Sequence, residues 1–329
     1  MKGTIAAALA LCGAMGIGGV AAADEAFLPA IVYDVGGKAD KSFNEAAYRG
    51  AQQFEKETGI TVREFEITNE TQRAQAFANM ARRGASIIVG VGFTQRAAIE
   101  TVARQYPDKK FTLIDATSEL PNVQSVVFRE QDGSFLVCVL AALASKTHKL
   151  GFVGGMDIPL IRRFAAGYAA GARYTDPTVE VFVNMTGTTP AAWQDPARGA
   201  ELARSQFDRG ADVVYAAAGS TGLGVLQAAA DAKKLAIGVD SNQDYLHPGS
   251  MLTSMVKRVD LAVYQAYRTA KDGTWKPGIR SLGVAEDGVG YTIDEYNGAL
   301  VTPEMRARAE AARADIIAGK ITVPDQLGP

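Results

Sequence analysis

Histidine and cysteine are almost absent from this chain, with two of each in 329 residues. That is too few for a Cys/His zinc cluster, and Cys12 and Cys138 stand in such different surroundings that no structural disulfide between them is expected. An excess of positive charge is also missing. With 34 Lys+Arg against 36 Asp+Glu the formal net charge is -2, so the chain lacks the field that draws a phosphate backbone, and nucleic acid is not an expected partner. What is there is ordinary globular composition, 47% hydrophobic and 21% charged, which argues against disorder and against a polytopic membrane protein.

The start of the chain differs from the rest. Lys2 is followed by an uncharged Ala/Leu/Gly-rich run from Thr4 to Ala23, and charge returns at Asp24 and Glu25. One basic residue, a short apolar stretch and Ala21-Ala22-Ala23 before a cleavage point predict a secretory signal peptide over residues 1–23. The run is interrupted by glycine and falls short of the ~20 strongly apolar residues that a membrane span prefers. Leu9-Ala-Leu-Cys12 is a poor lipidation motif, because bulky Leu11 stands where Gly, Ala or Ser is wanted. A freely soluble exported protein resident in the periplasm is therefore expected, without a lipid on Cys12. The remaining thiol, Cys138, lies in the apolar stretch 135–143 and reads as a small buried hydrophobe.

Beyond residue 23, short β-branched runs alternate with longer Ala-rich segments of helical period. Strands are predicted near residues 30–33, 62–65, 86–89, 110–114, 123–127, 149–153, 179–183, 212–215, 235–239 and 251–254. Helices are predicted near 42–57, 71–83, 94–105, 130–145, 159–173, 196–209, 221–232, 259–271 and 303–318. This alternation predicts an α/β protein with parallel sheets covered on both faces. About 306 residues after cleavage exceed what one core usually takes, so two lobes are expected, with a break near residue 146.

In open parallel sheets, ligands bind outside the carboxyl ends of the strands. Three predicted strands end in aspartate: Asp34, Asp115 and Asp240. A single strand-end aspartate is commonly a turn former or helix cap, but three could face one crevice and accept hydrogen bonds from a donor-rich ligand. After the first of these strands comes Asp40-Lys-Ser-Phe-Asn44, where Ser42 and Glu45 have the spacing of a capping box. Capping does not account for Phe43, which would stand in the first helical turn beside the crevice, where an aromatic plate can stack on a base. Trp193 offers a second plate from a loop. The run Gly219-Ser-Thr-Gly-Leu-Gly224 follows a strand and leads a helix, so its backbone donors suit either a close turn or a ligand hydroxyl or anion. Lys257, also after a strand, is a cation among the acids, or a solvated lysine.

Several of these segments, in order, resemble a known family. Tyr33-Asp-Val-Gly-Gly37, Asp40-Lys-Ser-Phe-Asn44, Leu150-Gly-Phe-Val-Gly-Gly155, Gly238-Val-Asp-Ser-Asn-Gln243 and Leu252-Thr-Ser-Met-Val-Lys257 are similar to the basic membrane protein family. That family comprises substrate-binding proteins of ABC transporters, including the purine nucleoside receptor type. The resemblance implies a type I periplasmic binding protein fold, with two Rossmann-like lobes of parallel sheet joined by three crossovers. Lobe 1 is then expected over 24–146 plus 252–276, and lobe 2 over 147–251 plus 277–329. It also implies a binding function and not an enzyme, no cofactor, a small-molecule ligand, and partnership of a monomer with permease and ATPase subunits of the inner membrane. Carried over by position, Phe43 and Trp193 match the aromatics that sandwich a base, and Asn44 and Asp115 the readers of its edge. Asp34, Ser42 and Gly219 match neighbouring pocket groups, and Asp240 and Lys257 the clamp on the ribose. The approach to Trp193, Thr186-Gly-Thr-Thr-Pro-Ala-Ala, is longer than the family's usual one, and related proteins take other heterocycles such as riboflavin. The rival reading, a periplasmic nucleoside hydrolase, lacks support: there is no tight Asp cluster and no GxSxG elbow, and His148 and His247 are expected in loops without acidic neighbours.

Overall fold

A computed structural model describes residues 26–328. The expected leader and Cys12 lie outside the described residues. Two six-stranded sheets carry the structure. The first is built from β1 (Pro29–Tyr33), β2 (Arg63–Glu66), β3 (Ile87–Gly90), β4 (Lys110–Ile114), β5 (Val123–Phe128) and β11 (Gly278–Leu282), in the order β11-β5-β4-β3-β1-β2. The second is built from β6 (Lys149–Met156), β7 (Glu180–Gly187), β8 (Val213–Ala217), β9 (Leu235–Asp240), β10 (Met251–Lys257) and β12 (Val289–Tyr291), in the order β12-β10-β9-β8-β6-β7. All pairings are parallel except β10 with β12. Strands such as β1, β3 and β8 are buried along their whole length, which is why their sequences run apolar without alternation.

Helices α1 (Phe43–Thr58), α2 (Arg73–Arg82), α3 (Arg96–Gln105) and α8 (Val259–Lys271) cover the first sheet. Helices α4 (Glu130–Ala144), α5 (Pro159–Thr175), α6 (Pro196–Asp208), α7 (Ser220–Asp231) and α9 (Pro303–Ile317) belong with the second. The chain passes between lobes at 128–130, at 257–259 and between Leu282 and Val289, so three crossovers join the two halves.

These passages lie elsewhere than the expected boundaries. Residues 252–276 are expected in lobe 1, yet β10 pairs along β9, with Met255 opposite Val239, and only α8 crosses over to pack on α1. Residues 277–329 are expected in lobe 2, yet β11 pairs along β5, with Arg280 opposite Val126. Helix α4, expected in lobe 1, packs on α5, α9, β10 and β12. The reason is its composition: the segment from Phe135 to Ala142 is buried without a break, and only a layer with cover on every side can take such a helix. Cys138 sits inside it, fully buried, and burial raises its thiol pKa well above the ordinary value.

Candidate functional site

The carboxyl ends of the two sheets face one another across a cleft, whose empty space, with the solvent at its mouth included, is about 640 Å³. Eight of the expected residues line it: Asp34, Phe43, Asn44, Asp115, Trp193, Gly219, Asp240 and Lys257. Ser42 does not line it but stands directly behind, fully buried.

Each aspartate is presented by the end of a strand, in two different ways. Asp115 and Asp240 follow β4 and terminate β9 with φ of 68° and 64°, in the left-handed region that a non-glycine residue adopts at some cost. Asp34, after β1, is committed to its own lobe. Its Oδ1 accepts from Arg73 Nη2 at 2.9 Å and from the Val35 amide at 2.8 Å, and its Oδ2 accepts from the Thr94 hydroxyl. Asn44 is held similarly, its Oδ1 accepting from the Asp34 amide at 3.0 Å and its Nδ2 donating to Asp40 at 3.0 Å. Asp34 thus has little hydrogen-bonding capacity left for a solute, whereas Asn44 keeps one Nδ2 hydrogen and one Oδ1 lone pair.

The expected capping box at α1 is not formed. Asp40 caps the helix instead, its carboxylate accepting from the amides of Ser42, Asn44 and Glu45 at 2.9, 3.0 and 3.0 Å. A carboxylate serves this end better than a hydroxyl because it carries charge against the helix dipole and can take three donors. Ser42 is thereby released to reach across the cleft, and its Oγ donates to Asp240 Oδ2 at 2.6 Å. The same seam holds Ser241 Oγ donating to the Ser42 carbonyl at 2.7 Å and Gln243 Nε2 donating to the Lys41 carbonyl at 2.9 Å.

Lys257 is the most enclosed charge in the cleft, with a side chain only 1% exposed. Its Nζ lies 2.6 Å from Asp115 Oδ2 and 3.0 Å from Glu130 Oε1. The rings of Phe128, Phe43 and Phe164 stand 5.0, 5.2 and 5.6 Å away. Burial alone would lower the lysine's pKa, but Asp115, Glu130 and Asp240 together override it and raise it, so the ammonium stays charged. The acids respond in the opposite sense: desolvation raises Asp115 despite Lys257, and pushes Asp240 up to about 6. Asp115 Oδ1 is buried without a hydrogen-bond partner, an acceptor with unspent capacity at the cavity wall.

The aromatic side of the cleft depends on a glycine. Trp193 ends a short 3₁₀ turn, Pro190–Trp193, and its ring lies over Gly155 so closely that a Cβ there would come within 2.2 Å of it. Gly219, with φ of 58°, opens α7 beside the same ring. Phe93, Leu160, Ile161 and Phe164 join Val35, Ala217 and Val239 in the apolar lining, and sequence reasoning assigns none of them to the site. Phe93 has a weaker signal, since it stands three residues beyond Gly90, the end of β3. Phe164 lies in Ile158–Gly167, a segment that also resembles the family, but an apolar residue on a helix face reads as core and nothing marks it as a pocket residue. Glu130 and Arg163 escape sequence reasoning as well. His148, expected without an acidic neighbour, has Asp176 Oδ2 at 2.8 Å from its Nδ1, outside the cavity lining. Among the described residues no cluster of His, Cys, Asp and Glu is arranged to hold a metal.

Such a site combines flat apolar walls with buried acceptors and one enclosed cation, which suits a neutral solute carrying N–H or O–H donors. Comparison with known proteins agrees with a binding role. Residues 27–326 match the family described as ABC transporter substrate-binding protein PnrA-like. An ABC transporter nucleoside-binding protein, BmpA, of Lactococcus lactis is 32% identical over 322 residues, covering 90% of this chain and 89% of that protein. An uncharacterized lipoprotein of Pyrococcus horikoshii is 37% identical, covering 80% of this chain and 68% of its own length. A solved solute-binding protein of an ABC transporter system from Aeropyrum pernix superposes with a TM-score of 0.83 at 29% identity, covering 91% of this chain and 94% of that one. The chain belongs to the PnrA-like family of ABC transporter substrate-binding proteins.

Proposed function

We propose that this binding protein captures a nucleoside, a purine nucleoside foremost, in the cleft between its lobes and delivers it to the transporter's membrane permease. The observation that carries the reading is the pairing of aromatic faces, Phe43 and Trp193, with strand-end acceptors at Asp115 and Asp240 in one cavity. A base stacked between the aromatics gains about 1–3 kcal/mol per face. The unpartnered Asp115 Oδ1 accepts a ring N–H or a hydroxyl, and Asp240 with Lys257 holds the ribose. Three carboxylates at the wall, Asp34, Asp115 and Asp240, against one ammonium disfavour a phosphate, so the nucleoside is preferred over its nucleotide. The name of the Lactococcus relative supports the same solute class. Nanomolar to micromolar affinity, on the order of -8 to -12 kcal/mol, is expected.

The site of action is outside the cytoplasm, in the periplasm, after cleavage behind Ala23. The name of the Pyrococcus relative, a lipoprotein, lends no support to the expectation that Cys12 stays free of lipid. The intact mass of the exported protein decides both points.

Calorimetric titration tests the solute. The protein is unfolded and refolded to strip carried-over ligand, then titrated with guanosine, adenosine, inosine, uridine and riboflavin. Tight binding of purine nucleosides supports the proposal. A response to riboflavin alone moves the solute class, and silence with all five refutes the nucleoside reading.

A further inference from the structure

We propose that Glu130 and Arg163, neither of which lines the cavity, are positioning residues that hold the Lys257 ammonium at the cavity wall. The inference rests on that cavity being the solute site. Four charges alternate in sign through the region where the chain passes between lobes. Asp115 Oδ2 meets Lys257 Nζ at 2.6 Å, Lys257 Nζ meets Glu130 Oε1 at 3.0 Å, and Glu130 Oε2 meets Arg163 Nε at 2.9 Å. Glu130 has no exposed side-chain surface, whereas Arg163 is 27% exposed and closes the series toward solvent. Asp115 follows β4 of the first sheet, Lys257 ends β10 of the second, Glu130 opens α4 and Arg163 lies in the second turn of α5. The other charges felt by the series are Asp240, acting on Lys257, Asp132, which repels Glu130 on the same helix, and Asp325 near the chain end, acting on Arg163.

A lysine carries its charge on a flexible four-carbon stem, and nothing in the stem itself directs the ammonium. Here two carboxylates approach it from different elements: Asp115 Oδ2 accepts its hydrogen bond, and Glu130 Oε1 is an ion-pair partner at 3.0 Å whose other oxygen is fixed in place by Arg163. Buried ion pairs add little net stability over apolar packing, so a purely structural role is a weak reason for four charges in this place. Without Glu130 the ammonium is left to Asp115 and Asp240, and it turns from the hinge side toward the acceptors that the solute needs.

The test follows the ammonium directly in lysine-¹⁵N-labelled protein, with the Lys257 signal identified by its loss in Lys257→Met. In Glu130→Gln, which keeps size and shape, the signal is expected to titrate at lower pH than in the wild type. Affinity for guanosine, measured well below the thermal midpoint, is expected to fall at least tenfold, and the loss of a fully buried charge lowers that midpoint as well. In Arg163→Met, the milder change for folding because the side chain is partly exposed, the signal is expected to persist to at least the wild-type pH. Opposite responses of the two variants support the proposal. Unchanged signals in both, or the same downward shift in both, overturn it in favour of simple packing. If the wild type takes up none of the five solutes, the nucleoside reading fails, while the ammonium signals still decide this one.

Discussion

Replacing Asp240 by asparagine should stabilise the solute-free protein while spoiling its binding. Burial pushes the Asp240 carboxyl up to about 6 from an ordinary 3.8, even with Lys257 and Ser42 favouring the charged form. Between those two values the folded protein keeps a proton that the unfolded chain has already released, so stability falls as pH rises through the window and stays reduced above it. The difference corresponds to a cost of about 3 kcal/mol at pH 7 and above. Asparagine stands in for the neutral acid, tolerates the left-handed φ of 64° as aspartate does, and can still accept from Ser42. Asp244, whose pKa burial also raises, remains in both proteins and cancels in the comparison, whereas Asp115 repels the Asp240 carboxylate and its relief in the variant adds to the gap. Urea unfolding of wild type and Asp240→Asn, each free of solute, at pH 8 and pH 4 measures the effect. The variant should be the more stable at pH 8, by up to about 3 kcal/mol, and the gap should close toward pH 4. Nucleoside affinity should fall at least tenfold at pH 8. A variant less stable at pH 8, or a gap independent of pH, would refute the argument that a desolvated charge is being held at this strand end.

Other consequences follow from the same geometry. Phe43→Ala removes one stacking face and should cost about 1–3 kcal/mol of solute binding, read by calorimetry well below the unfolding midpoint, which the lost core contact also lowers. In Gly155→Ala the new Cβ collides with Trp193, so the indole must move; its fluorescence should shift and binding should weaken, whereas an unaltered spectrum would contradict the contact. Asp34→Ala leaves Arg73, with a side chain 10% exposed, facing a lost partner, and should destabilise the protein by about 3 kcal/mol in urea unfolding. Wild-type binding should weaken as pH falls below about 6, because protonated Asp240 loses acceptor capacity; a flat affinity profile from pH 8 to 5 would argue against Asp240 as a solute contact.

Much of this protein is legible along the chain because much of it is local. The alternation of β-branched runs with Ala-rich helical segments marks ten of the strands and all nine helices among the described residues. The two strands that escape have weak local signals: β11 is a mostly exposed edge strand and β12 is three residues long. Aspartates at three strand ends, combined with the rule that solutes bind there, locate the cleft from residue types alone.

What the sequence could not decide is what depends on residues far apart in it. Which sheet β10 and β11 join is a matter of strand pairing across the whole fold, and no local propensity records it. Ser42 and Glu45 have the spacing of a cap, but a carboxylate two residues earlier outcompetes the hydroxyl, and Ser42 finds Asp240 at 198 residues' separation. Lys257 meets Asp115 across 142 residues, and Glu130 meets Arg163 across 33. Residue types along the chain determined that strand ends would carry acids and aromatics. Only the docking of two lobes decided which of those charges are buried together, and burial is what gives them their chemistry.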